Sequence, residues 1–214
     1  MIIKAILETI YMIFISISIA NIIGLPLGIL LSITREGSIS ENRTLNKILD
    51  LIIVNITRSI PFVILIVLLI PLSRLIVGKS YGTTAFIIPL SIGTAPFVAR
   101  IIENSLNEVS YGLIEAAISM GATNKDIVFK VLIPEAIPSI INGLTLTLIS
   151  LVSFSAIAGI IGGGGLGNLA VIEGFQRGNY KLMYLSTFIL IVIVQIIQFI
   201  GTRIVKFIEK KRGR

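Results

Sequence analysis

The sequence predicts an all-α, polytopic membrane protein, and three observations carry that prediction. Of its 214 residues 55% are hydrophobic, and the mean hydropathy is +1.01. A soluble domain of this length cannot bury so much apolar surface, which points to lipid as the solvent. Five stretches, at about 10–33, 51–73, 83–102, 138–161 and 183–205, each match the roughly 20 apolar residues that a spanning helix needs. The longest polar stretches are 34–50, 162–182 and a helix-turn-helix elbow around 111–138, so no soluble domain fits between the spans. The chain reads as one domain over 1–214, with its core at about 8–205 and a basic tail at 206–214.

The first span follows Lys4, and Ser18-Ile19-Ala20 resembles a signal-peptide cleavage site. The apolar run nevertheless continues to Ile33, too long for a signal core, which predicts a retained helix. Gly24-Leu25-Pro26-Leu27-Gly28 is expected to bend it and to let a neighbour pack closely. Arg58 falls inside the second span. A central arginine costs roughly 2.5–3.5 kcal/mol on insertion scales, so it needs a partner or a route to the interface. Glu103 and Asp50 are the available acids, snorkelling to the inner interface is the other solution, and Arg100 and Glu103 are spaced to pair with each other. Pro61, Pro89 and Pro96 are expected to break helices, which is tolerated only beside protein or a cavity. Asn55, Ser59, Pro61, Ser91, Thr94, Pro96, Thr147 and Ser155 form the expected translocation pathway. The competing expectation for each hydroxyl is a bond to the previous turn or to a neighbouring helix.

The elbow, EAAISMGATNKDIVFKVLIPEAIP over Glu115 to Pro138, is polar in an apolar chain. Tyr111 to Met120 reads as a helix with Leu113, Ala116, Ala117 and Met120 on one face. Gly121 suits a left-handed helix end. Thr123 and Asp126 stand at capping-box spacing before a second helix, whose apolar side carries Ile127, Val128, Val131 and Leu132. Pro134 is expected to end that helix, and Pro138 to sit in the first turn of the fourth span. Further along, Gly162-Gly163-Gly164-Gly165-Leu166-Gly167 satisfies G-x-G-x-x-G in letters only, because it follows a span rather than a strand. It is expected to be a flexible outer loop, or a hinge or close-packed outer gate built on Gly163, Gly164, Gly165 and Gly167.

Charge orients the chain. With the C-terminus inside, twelve of the 18 Lys and Arg residues fall on the inner side and five on the outer, which satisfies the positive-inside rule and places the N-terminus outside. The net charge of +7 does not indicate nucleic acid, because the basic residues sit at span ends and in Lys210-Lys211-Arg212, where they suit anionic lipid headgroups. Cysteine and histidine are absent, which removes disulfides, thiol catalysis and the usual zinc ligand sets, and no metal site is expected. There is no phosphate-binding loop of the G-x4-G-K-S/T type, so the chain is no ATPase of its own.

Glu115-Ala116-Ala117, three residues, Gly121, nine residues and Val131-Leu132-Ile133-Pro134 is similar to the EAA motif of ABC importer permeases. Val131 and Ile133 depart from the family's Ile and Leu but stay aliphatic. The likeness covers nearly the whole chain and resembles the methionine importer permeases in particular. Arg58-Ser59-Ile60-Pro61-Phe62, Ala95-Pro96-Phe97-Val98-Ala99-Arg100, Gly121-Ala122-Thr123, Leu132-Ile133-Pro134-Glu135-Ala136, Gly163 to Gly167 and Gln198-Phe199 with Arg203-Ile204-Val205 carry it. The resemblance implies a homodimer in a bacterial cytoplasmic membrane, two ATPase subunits that hold ATP and magnesium, and an external substrate-binding lipoprotein. It also implies that the elbow is a cytoplasmic coupling helix, with Glu115, Ala116, Ala117, Gly121, Ala122, Val131, Ile133 and Pro134 facing or shaping the ATPase contact. The remaining readings are a permease for another small neutral solute and an ion-gradient carrier. A carrier needs an ionisable group at mid-membrane, and Arg58 is the one found well inside a span.

Overall fold

The structure, a computed structural model, describes residues 1–212, with the side chains of 52–54, 56 and 58 outside that description. Every regular element among the described residues is helical. Four helices are long and apolar enough to cross a membrane: Ile2–Thr34, Thr83–Asn107, Asn124–Gly163 and Tyr180–Lys211. A shorter apolar helix, Phe62–Val77, accompanies them.

The first helix, α1 (Ile2–Thr34), starts well before the expected boundary and runs unbroken through Pro26. After a short loop, Asn42 caps α2 (Arg43–Ile48) by accepting the Leu45 N–H at 3.0 Å. The chain then widens into a π-helical stretch, Leu49–Ile56, followed by α3 (Thr57–Ser59). The second expected span is therefore not one helix. Pro61 has no N–H and excludes the residue before it from helical angles, so the chain breaks there and restarts as α4 (Phe62–Val77).

The third expected span becomes α5 (Thr83–Asn107), continuous through both Pro89 and Pro96. The expected breaks at these two prolines do not occur. Both rings are buried against neighbouring helices, and tertiary packing outweighs the lost ladder bonds. Near Pro89, Ser91 Oγ donates to the Ile87 carbonyl at 2.7 Å.

Parallel to α5 lies α1, at a separation set by glycine. A Cβ on Gly24 would stand 2.7 Å from Val98 Cβ, and one on Gly28 would stand 2.5 Å from the Ala99 carbonyl oxygen. The expected close packing at these glycines is thus realised. Met12, Ile13, Ala20, Phe86, Leu90, Val98 and Ile102 fill the seam between the two helices and their neighbours.

The elbow comprises α6 (Tyr111–Ser119) and α7 (Asn124–Asp126). It feeds a π-helical stretch, Ile127–Leu132, and then α8 (Ile133–Ala158). Here too an expectation fails: Pro134 does not end the elbow's second helix. The widened turn just upstream takes up the proline ring, and the helix proceeds into the fourth apolar segment. Past α8 come a π-helical stretch Gly159–Gly163, α9 (Gly165–Asn168) and a further π-helical stretch, Leu169–Gln176. The last helix, α10 (Tyr180–Lys211), runs antiparallel to α8. Most of the expected basic tail is its final helical turn.

Large apolar side chains remain bare along α10, among them Tyr184, Phe188, Phe199 and Phe207, and along α1, among them Leu7, Phe14 and Ile22. A water-soluble monomer does not present such continuous apolar faces. The bundle has two distinct ends. Glu8, Gly82 and the glycine segment meet at one. The elbow, the loop after α1 and Arg212 meet at the other.

Candidate functional site

The elbow owes its shape to two local devices. Gly121 adopts φ +80°, a left-handed conformation that L-residues resist, and nothing lies within 4 Å of a Cβ placed on it. Its N–H donates to the Ile118 carbonyl at 2.9 Å, and the Ala122 N–H donates to the Ala117 carbonyl at 3.0 Å. Together these close α6 in a Schellman motif. Two residues after Gly121, Thr123 Oγ1 accepts the Asp126 N–H at 3.3 Å while Asp126 Oδ2 accepts the Thr123 N–H at 3.3 Å. This is the expected capping box, and such a cap contributes about 0.5–2 kcal/mol.

Within the motif the side chains divide. Glu115 and Ala116 are exposed, whereas Ala117 is buried against the bundle. Of the two alanines expected to share a face with Leu113 and Met120, Ala116 is exposed and Ala117 is not. The proposed common face with Leu113 and Met120 is likewise mostly bare: Met120 is 82% exposed, and Leu113, Ile118 and Phe129 are also open. Ile127, Val128 and Leu132 are buried as expected. Ala122, Val131, Ile133 and Pro134 are half-buried, and the first three pack against the core and attach the elbow to the bundle.

Polar contacts that were not anticipated also tie the elbow to its surroundings. Asn124 Nδ2 donates to the Ile39 carbonyl at 3.1 Å, which joins the elbow to the loop after α1. In that loop Glu41 accepts the Gly37 N–H and pairs with Arg43, and these bonds hold its carboxyl below the usual carboxylate range. Arg212 donates to the carbonyls of Pro134 and Glu135. The chemistry is legible in retrospect. Pro138 has no N–H to give the Pro134 carbonyl four residues earlier, and the arginine at the far end of the chain supplies the missing donor.

Toward the elbow end of α5, Arg100 pairs with Glu103 at 2.6 Å, as its spacing suggested, and also with Asp50. Asn55 Nδ2 donates to Asp50 Oδ2 at 2.9 Å. Both acids offered to Arg58 are therefore engaged by Arg100, while the expected pairing of Arg58 falls outside the described side chains. The network bridges the π-helical part of the broken second segment to α5.

The remaining expected pathway residues do not form one surface. Asn55 and Ser59 are exposed, and Ser59 Oγ donates back to the Asn55 carbonyl. Pro61 marks the helix break. Ser91 and Ser155 are buried and bonded to the preceding turn, to Ile87 and Val152 respectively, and Pro96 is buried within α5. Thr94 and Thr147 do come together, lining one cleft between α5 and α8.

The glycine segment corrects the expectation of a flexible loop. Gly163, Gly165 and Gly167 are buried. Glu8 Oε2 accepts the Gly165 N–H at 2.8 Å, and Thr9 Oγ1 accepts the Leu166 N–H at 2.9 Å. These α1 side chains satisfy the first donors of the helical run that begins at Gly165, which itself sits at φ +74°. A Cβ on Gly167 would overlap the Ala156 backbone. The segment is packed structure, fastened to the start of α1. Among the described residues no cluster of acids is assembled that could hold a metal ion.

The comparisons agree with this architecture. Residues 24–214 match the family described as binding-protein-dependent transport system inner membrane component. The chain is 50% identical over 204 residues to the probable D-methionine transport system permease protein MetI of Vibrio cholerae, covering 95% of this chain and 90% of that one. It is 48% identical over 182 residues to the methionine import system permease protein MetP of Bacillus subtilis, covering 85% and 82%. A solved inward-facing structure of the MetNI methionine ABC transporter contains a chain that superposes with a TM-score of 0.94 at 47% identity, over 96% of this chain and 95% of that one. The chain belongs to the family of binding-protein-dependent transport system inner membrane components.

Proposed function

We propose that this chain is the permease subunit of an ATP-driven, binding-protein-dependent methionine importer. The observation that carries the reading is similarity along nearly the whole chain, elbow included, to permeases named for methionine. The permease works as a homodimer in the cytoplasmic membrane of a bacterium. It crosses five times, the second crossing being the discontinuous segment interrupted at Pro61. The elbow end faces the cytoplasm, with the N-terminus outside and the C-terminus inside, in accord with the charge asymmetry.

Each protomer receives one ATPase subunit on its elbow. Glu115, Ala116 and the bare side chains of Leu113, Ile118 and Met120 supply the docking face. The Schellman turn and capping box hold that face rigid, so movement of the ATPase pair passes to α5 and α8 rather than being lost in a soft loop. ATP and magnesium reside on the ATPase. Closure of the ATPase pair turns the pathway outward to receive substrate from the external binding protein, and hydrolysis returns it inward. Selectivity lies largely with the binding protein, because the pathway carries few fixed charges.

Reconstitution tests the reading. In proteoliposomes holding the permease, its cognate ATPase and binding protein, labelled methionine should accumulate only with ATP. Accumulation driven by a proton or sodium gradient without ATP would replace the importer by a secondary carrier. Reporter fusions after Asn46 and Gly121 should report cytoplasm and one after Gly78 the outside. A cytoplasmic signal at Gly78 would overturn the orientation.

A further inference from the structure

Between α5 and α8 lies a cleft of about 280 Å³, close to the lower end of the roughly 300–1,000 Å³ of small-ligand sites. Its lining is divided chemically. Phe97, Ile101, Leu146 and Phe154 make an apolar wall, and Arg100 stands at the cleft as the cationic group. Phe154 stacks on Phe62 with centroids 4.0 Å apart and meets Phe97 at 6.4 Å, so the wall is an aromatic cluster shared with the start of α4.

The hydroxyls of the lining differ in what they have left to offer. Thr147 Oγ1 donates to the Gly143 carbonyl at 2.9 Å and Ser150 Oγ to the Leu146 carbonyl at 3.0 Å. With their protons committed, each retains only acceptor capacity, which suits an ammonium group. Thr94 is different. Its side-chain oxygen is buried, with the residue 1% exposed, and finds no hydrogen-bond partner among the described residues. A buried hydroxyl left unpaired costs about 1–3 kcal/mol, so one that lines a cleft gains by pairing with a molecule bound there.

We propose that this cleft is a transient subsite for a zwitterionic amino acid with an unbranched, thioether-bearing side chain, a proposal that rests on the importer reading above. Arg100 takes the carboxylate, sharing donors now given to Asp50 and Glu103. Thr147 and Ser150 receive the ammonium, and Thr94 completes the polar shell. The tail lies along Phe97 and Phe154, where sulfur gains from contact with aromatic rings. Affinity is low by construction, since the ligand must compete for an arginine already paired. Weak binding is what a passage site requires if the substrate is to leave inward.

The test uses the complete permease–ATPase complex in nanodiscs, without binding protein, and labelled L-methionine in a scintillation-proximity assay. Saturable binding is expected, with norleucine, which replaces sulfur by methylene, competing more weakly than methionine. Thr94→Val should weaken methionine binding about threefold to tenfold, the value of one hydrogen bond. Ser186→Ala, the same loss at a buried unpaired hydroxyl outside the cleft, should leave it unchanged. Absence of saturable binding, or equal binding by wild type and Thr94→Val, overturns the subsite. ATP-driven methionine uptake by the same wild-type complex with its binding protein separates the two failures. Uptake without subsite binding sinks only this inference, and absence of uptake sinks the importer reading beneath it.

Discussion

A substitution series at Gly121 separates backbone strain from contact in the proposed coupling elbow. The residue sits at φ +80°, and a Cβ there meets nothing within 4 Å. Any penalty inside this chain is therefore conformational. An L-residue in the left-handed region costs about 1–2 kcal/mol, a β-branched one more, and asparagine less than either. At 1.4 kcal/mol per decade, alanine should lower the population of the native turn about fivefold to thirtyfold relative to its alternatives, and valine should lower it further. The Schellman bonds from Gly121 and Ala122 are lost with it, and the face carrying Glu115 and Ala116 loses its fixed angle to α8. The assay is methionine accumulated per ATP hydrolysed in proteoliposomes, alongside the amount of inserted protein. The expected order is Gly, then Asn, then Ala, then Val, with normal insertion throughout and uptake lost in Gly121→Val while hydrolysis continues. An order following side-chain volume, with Asn worse than Ala, would mean that a partner surface at Gly121 sets the limit and would refute the strain argument. Normal uptake by the valine variant would remove Gly121 from coupling altogether.

Three other perturbations follow from the packing. Gly28→Ala places a Cβ 2.5 Å from the Ala99 carbonyl oxygen and from Ile102 Cβ, and overpacking of this kind costs about 1–3 kcal/mol. The thermal midpoint should fall, whereas Gly112→Ala, whose nearest neighbour is 3.7 Å away, should leave it level or raise it; equal midpoints for the two variants would contradict the close-packed seam. Arg212→Gln withdraws guanidinium donors from the carbonyls of Pro134 and Glu135. Amide exchange should quicken over 135–137 and in the last turn of α10, and unchanged exchange would show that the contact carries no load. Thr9→Val removes the acceptor of the buried Leu166 N–H, at about 1–3 kcal/mol for the orphaned donor. Faster amide exchange at Leu166 and its neighbours is expected, and wild-type protection there would refute the fastening of the glycine segment to α1.

Much of this protein was decided locally and could be read from the chain alone. Hydrophobic runs fix where helices form because every backbone group in lipid must be satisfied within its own segment. The Gly121 turn and the Thr123–Asp126 capping box form from bonds spanning five residues or fewer, so spacing was sufficient to place them. The prolines were not legible in this way, because their effect depends on what packs beside them. Pro61 breaks its segment, but Pro89 and Pro96 stay helical inside the buried α5, and a widened π turn absorbs Pro134. The glycine segment read as loose because its partners, Glu8 and Thr9, are more than 150 residues away in sequence. Asp50 and Arg100, 50 residues apart, and Arg212 and Pro134, 78 apart, were likewise out of reach of any local pattern. Sequence by itself determined that the chain is helical and apolar and where the Gly121 turn and the capping box lie, since these rest on periodicity and short-range bonds. Only the tertiary structure decided which glycines are packed, which arginine holds the acids and which hydroxyl is left without a partner, because those outcomes depend on groups brought together from distant parts of the chain.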